Sequence, residues 1–183
     1  MDYLKTEVFG RNVVFRDLLP DEVDTIVSYW HDGDPDFLYS LGLDPAKLVS
    51  RNATRERILS PGRAYFVIEV DGELVAYTNL NFRSESEACA HFHVLKPSAR
   101  VKAVMYVVFP DVIQTFFSCF PLARIEMQTL PENRSISRML RRFGLKSRRE
   151  FLSNPDGLSR PGELHIWELK RSSAVRHRVA RSM

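Results

Sequence analysis

Apolar and polar residues alternate in several segments of the chain, the mark of strands with one face in a core. Residues 13–17 (Val-Val-Phe-Arg-Asp) predict the first. Residues 64–70 and 73–82 predict a second and a third, joined by Asp71-Gly72, a dipeptide suited to the tight hairpin turn. After a polar turn at 83–86, residues 87–95 predict a fourth strand that completes an antiparallel meander. Residues 123–130, where Ile125, Met127 and Thr129 alternate with polar positions, predict a fifth. Residues 147–152 and 163–170 predict two more, around a turn-rich loop at 154–162.

Between the strands the pattern is helical. Pro20 and the acids that follow open a helix over 21–30, where a fixed φ and negative charge suit the N-terminus. His31-Asp-Gly-Asp-Pro35 breaks it, and 36–41 predict a short second helix. Residues 50–59 predict a third, capped by Ser50 and closed by Pro61-Gly62. Residues 101–120 predict a long apolar helix, bent or split near Pro110, which has no N–H to donate. Lys102, Pro110, Asp111 and Gln114 interrupt its apolar run, so the expectation is a core helix and not a membrane span. A last helix starts after Pro131-Glu-Asn133 and ends at Gly144, a natural C-cap. The sum is an α/β (α+β) fold: a mixed, mostly antiparallel sheet with helices on both faces. A single domain is expected over 1–171, with a basic, disordered tail over 172–183.

Composition adds limits. A chain of 183 residues with 44% apolar and 27% charged residues buries a core without disulfide or metal staples. The two cysteines, Cys89 and Cys119, have no metal-ligand spacing and read as free thiols of a reducing compartment. With no apolar run near Met1 to act as a signal, the expected location is cytoplasmic. The net charge of +3 owes much to arginines between 138 and 149 and in the tail. They read as a solvated face, or as attraction to a polyanion; without interleaved aromatics or a reading motif, nucleic acid is not the expected partner.

The candidate chemistry lies between residues 76 and 145. Tyr77, Asn79 and Asn81 share one face of their strand, and His91 and His93 share one face of the next. A hairpin would join the two rows into a polar floor. The histidines are open to two readings: rings satisfied by strand neighbours, or a base near neutral pH, with His93 the first candidate and His91 its neighbour. Glu87 and Glu126 are weaker candidates. His-x-His lacks a nearby third ligand, so no metal is expected. Asn133 is open to a capping role or a functional one.

The order of strand, basic turn (Lys96-Pro-Ser-Ala-Arg-Val-Lys-Ala103), helix, strand, Asn-led helix and Gly144-Leu145 resembles the coenzyme-binding half of the GNAT acyltransferase superfamily. The strings Ala76-Tyr-Thr-Asn-Leu-Asn81 and Ala88-Cys-Ala-His-Phe-His93 resemble those of a bacterial GNAT subgroup. In that family a Q/R-x-x-G-x-G/A turn wraps a pyrophosphate with the amides of a helix N-terminus. The matching residues here are Ser98-Ala-Arg-Val-Lys-Ala103, so Val101 stands at the first glycine and Ala103 at the second. A β-branched residue resists positive φ, which predicts a reshaped or extended turn.

The resemblance implies acetyl-CoA as co-substrate, a small-molecule or peptide amine as acceptor, and direct transfer by a monomer or homodimer with no membrane partner. It assigns the coenzyme to Val94, Arg100, Val101, Lys102, Ala103, Val104 and Asn133, with catalysis by His93, His91 and Asn133. The acceptor falls to Tyr77, Asn79, Asn81, Tyr29 and Trp30. Leu140 stands where relatives carry a tyrosine acid. That change and the missing glycines leave a second reading: a degenerate GNAT-like domain that binds a ligand or partner, or runs other chemistry in the same cleft.

Overall fold

Every segment expected as a strand forms one. The computed structural model describes residues 1–153 and 160–171. Along it run β1 (Asp2–Val8), β2 (Arg11–Asp17), α1 (Val23–His31), α2 (Pro35–Ser40), α3 (Arg51–Ile58), β3 (Arg63–Val70), β4 (Glu73–Phe82) and β5 (Glu87–Val94). They are followed by α4 (Ala99–Cys119), β6 (Arg124–Thr129), α5 (Arg134–Arg142), β7 (Ser147–Leu152) and β8 (Gly162–Lys170). The fold is mixed α/β with mostly antiparallel pairing, as expected. The tail from 172 and most of the loop expected at 154–162 lie outside the described residues.

β1 is an addition to the expected list. It pairs with β2 through Phe9-Gly10, both with positive φ (54° and 70°). That geometry matches the twist of a hairpin, but a phenylalanine does not advertise it. Asp71-Gly72 adopts the same conformation (φ 54° and 80°) and makes the hairpin its sequence predicts.

The chain forms two compact units. The first holds Met1–Leu18, Gly62–Met127 and the chain from Glu168. In it β1 to β6 neighbour one another in sequence order, antiparallel except for the parallel pair β5–β6. A parallel pair needs a long crossover, which α4 supplies. One face of this sheet is an aromatic core. Phe116 of α4 lies 5.8 Å from Phe15, 5.2 Å from Phe66 and 6.4 Å from Phe92, measured between ring centroids.

α4 runs through Pro110 as one continuous helix, so it is not split there. Val104, Val108, Val112, Ile113, Phe116 and Phe117 are all buried along one side. Packing on both sides of the proline holds the helix across the one missing hydrogen bond. Its length and mean hydropathy of 1.2 would suffice to cross a membrane, alone among helices of the described residues. The aromatic face of the sheet explains that apolar character.

The second unit holds Leu19–Pro61 and Gln128–Trp167. Ser50 caps α3, as expected, by accepting from the Ala53 amide. Leu130, Leu164 and Ile166 form a buried cluster with Leu152 packed against it. Trp167, fully buried, donates from Nε1 to Thr129 Oγ1 at 2.8 Å. α5 ends as predicted at Gly144 (φ 74°), with the Leu145 amide donating to the Leu140 carbonyl.

Candidate functional site

The polar rows predicted on two strands meet in the first unit. Register sets Tyr77 opposite His93, Asn79 opposite His91 and Asn81 opposite Cys89, all on the sheet face away from α4. β3 adds Tyr65 opposite Asn79 and Arg63 opposite Asn81. The rings stack across the strands, Tyr65 on Tyr77 at 6.3 Å and Tyr77 on His93 at 4.8 Å, and then along β5, His93 on His91 at 6.5 Å. Asn79 is buried and donates from Nδ2 to Asn81 Oδ1 at 3.0 Å. That bond engages the Asn81 oxygen and leaves its amide donors without a bond among the described residues.

Burial and charge set the protonation of this floor. Loss of water pushes the His91 imidazole down to about 4, helped by the positive charges of Arg63 and Arg83. The same loss pushes His93 down to about 3, with His91 adding to the effect. Both rings are neutral at pH 7, well away from the near-neutral titration expected of a free imidazole. Cys89 is buried and its thiol is pushed up to about 11, chiefly by desolvation. It is a protonated core residue and no nucleophile. Across the next strand Cys89 faces Glu126, which is buried and accepts from Arg83 Nη1 at 3.1 Å.

β5 also offers backbone. Its parallel ladder with β6 runs from Glu87 opposite Arg124 to Ala90 opposite Met127 and ends there. β5 continues through His91, Phe92, His93 and Val94. The polar floor thus sits where one strand outruns its neighbour's pairing.

The basic turn takes a form not expected from its missing glycines. α4 begins at Ala99, so Arg100, Val101, Lys102, Ala103 and Val104 are already helical. Positive φ among non-glycine residues is confined, within the described chain, to Phe9 and Asp71. Val101 therefore needs neither a reshaped nor an extended turn, because the helix starts before it. Ser98 caps the helix: its Oγ accepts from the Val101 amide at 3.1 Å, and its carbonyl accepts from Lys102 at 3.0 Å. Of the first-turn amides, those of Ala99 and Arg100 remain without a bond among the described residues. Arg100, Val101, Val104 and Ser98 also line a cleft of 340 Å³ with the Asp71 end of the β3–β4 hairpin.

Three other candidates belong to the second unit. Asn133 is the N-cap of α5, its Oδ1 accepting from the Ile136 amide at 3.4 Å. Leu140, on the same helix, is fully buried. On α1, Trp30 is buried and Tyr29 half-buried, their rings edge to face at 5.2 Å. Desolvation pushes the Tyr29 phenol up to about 12. Among the described residues no three His, Cys, Asp or Glu side chains group as metal ligands.

Arg63, Tyr65 and Arg83 join the floor without having been singled out in the sequence. The alternation of Arg63 and Tyr65 on β3 was visible, but the face they share with β4 was not. Val75 is an extra residue on β4, where the register shifts between Ile68 and Glu69. Such a bulge reverses which side of a strand faces its partner's rows.

No family model and no curated protein matches the chain. Solved structures do. Spermidine N-acetyltransferase from Vibrio cholerae, in complex with CoA and spermine, is 14% identical, with a TM-score of 0.71 over 89% of this chain and 98% of that one. RimL, a ribosomal L7/L12 α-N-protein acetyltransferase in complex with coenzyme A, is 10% identical, with a TM-score of 0.70 over 93% and 99%. Mycobacterium smegmatis RimJ, in complex with CoA-disulfide, is 16% identical, with a TM-score of 0.67 over 92% and 89%. Likeness over nearly the whole of each chain, at such low identity, is likeness of fold: this chain has the GNAT acyltransferase fold.

Proposed function

We propose that the chain is a cytoplasmic N-acetyltransferase that moves an acetyl group from acetyl-CoA directly to a primary amine of a small molecule or peptide. The observation that carries this reading is the polar floor of Tyr77, Asn79, His91 and His93, whose histidines stand on the strand that leads into a basic helix N-terminus in a GNAT fold. Neighbours of that fold were solved with CoA, and one with spermine as well.

The residues at the start of α4 fit a diphosphate. The amides of Ala99 and Arg100, the positive end of a 21-residue helix and the exposed side chains of Arg100 and Lys102 all favour an anion. Acetyl-CoA supplies the thioester whose acetyl group the amine takes up. The backbone of β5 near Val94 would polarise that carbonyl. His93 and His91, neutral at pH 7, would accept hydrogen bonds from the incoming amine and orient it. An imidazole near 3 is a weak base. His93 would therefore take the amine proton late, after bond formation has made the nitrogen acidic. No activated nucleophile stands on the floor, which favours transfer without an acyl-enzyme.

One observation favours the second reading, a GNAT-like binding domain without acetyl transfer. Ser98 already occupies the Val101 amide on which the family's glycine turn would rely. Calorimetry with acetyl-CoA, followed by thiol release with a panel of amines, separates the two. Micromolar binding with amine-dependent thiol release is the expected result. Absence of binding at millimolar coenzyme would leave the degenerate reading.

A further inference from the structure

Charge on the polar floor is unevenly matched. Glu126 is engaged by Arg83, and Glu69 by Arg16. Arg63 is half-buried, and its guanidinium makes no hydrogen bond or ion pair among the described residues. A guanidinium that has given up part of its water without a partner is costly, and such a group is a ready receptor for an oxyanion. Arg63 lies directly across from Asn81, whose oxygen is taken by Asn79 and whose amide donors make no bond among the described residues. One step further along the floor is His91, close enough to feel the Arg63 charge. Cation, amide donors and neutral imidazole thus follow one another on a single face. The last of these stands where the amine is expected.

Resting on the acetyltransferase reading above, we propose that the acceptor is a zwitterion: an amino acid or peptide-like amine whose carboxylate is held by Arg63 and Asn81 while its amine meets His91 and His93. A fork of guanidinium N–H groups matches a planar carboxylate, and the adjoining amide supplies a further donor. The same charge repels a polyamine. The Vibrio cholerae neighbour, solved with spermine, therefore shares the fold without being a guide to the acceptor.

The test needs no turnover. N-acetyl derivatives of alanine, leucine and phenylalanine, each as free acid and as carboxamide, are titrated into the protein by calorimetry. At least one acid is expected to bind about tenfold tighter than its amide, a difference within the range for a charge-assisted hydrogen bond. Arg63→Gln should erase that preference and Arg63→Lys retain part of it, with circular dichroism confirming that both variants fold. Equal binding of acid and amide in all three pairs, or a preference that survives in Arg63→Gln, overturns the proposal. Thiol release from acetyl-CoA is measured separately with the free amino acids and with spermidine. Faster turnover of spermidine than of any amino acid keeps the acetyltransferase reading and sinks the zwitterion. Preferential binding of an acid without thiol release from any amine does the reverse.

Discussion

The two histidines of β5 carry the catalytic reading, and their environment fixes what pH can do to it. A base whose conjugate acid forms only near 3 is deprotonated across the whole working range. Its availability therefore does not change between pH 6 and 9, and the rate should follow the ionisation of the acceptor amine alone. Replacing His93 by Gln should lower kcat by about 10²-fold, the ordinary size of a single acid–base or orienting contribution. The loss should be the same at pH 6.5 and pH 9. A deficit that disappears at high pH would show a base titrating near neutrality, and so a ring far less desolvated than the fold places it. Arg63 and Arg83 reinforce the neutral form of His91, so the pair acts as a polar unit and not as a charged one.

The start of α4 shows how one element solves a problem that its sequence poses. Glycine at position 101 would be required only if the chain turned there, and it does not turn there. Val101 is helical, and the connection from β5 to α4 is complete by Ser98. The obstacle to an anion is hydrogen-bond competition from Ser98 Oγ and not the valine side chain. Val101→Gly should therefore leave acetyl-CoA affinity unimproved, while costing up to about 1 kcal/mol of stability through the first turn of the helix. Ser98→Gly frees the Val101 amide at a cost of only a few tenths of a kcal/mol. It should tighten acetyl-CoA by about fivefold to tenfold, as one further bond to a charged group allows. Calorimetry on both variants decides the matter, and tightening by the glycine at 101 alone would reverse the assignment.

For the molecule as a whole, alternation and turn chemistry made the order of elements legible, from the Asp71-Gly72 hairpin to the Gly144 cap. The candidate floor was legible in half. The rows of β4 and β5 share a short, regular hairpin, so period two alone places Tyr77 with His93. The row of β3 was hidden by the bulge at Val75, because no local signal marks where one residue is left unpaired. β1 was hidden by Phe9, which occupies a turn conformation ordinarily left to asparagine or glycine.

The floor thus assembled has a consequence for the stability of the whole chain. His91 and His93 are held neutral in the folded state at about 4 and about 3, whereas in an unfolded chain each takes a proton near 6.5. Between those limits the unfolded state binds more protons, so stability rises with pH and is lost as pH falls from about 6.5 toward about 4. The carboxylates held low by cations, Asp2 beside Lys5 and Asp71 beside Arg11, add their loss only below the ordinary carboxylate range, so the two effects separate on the pH axis. The urea midpoint should therefore fall on acidification from pH 7 to 5, before carboxylates contribute. The double variant His91→Gln, His93→Gln should flatten that part of the curve and leave the drop below pH 4 intact. A wild-type midpoint that is constant from pH 7 to 5 would mean that the folded protein protonates these rings freely, and that the floor is wetter than its stacked rings imply.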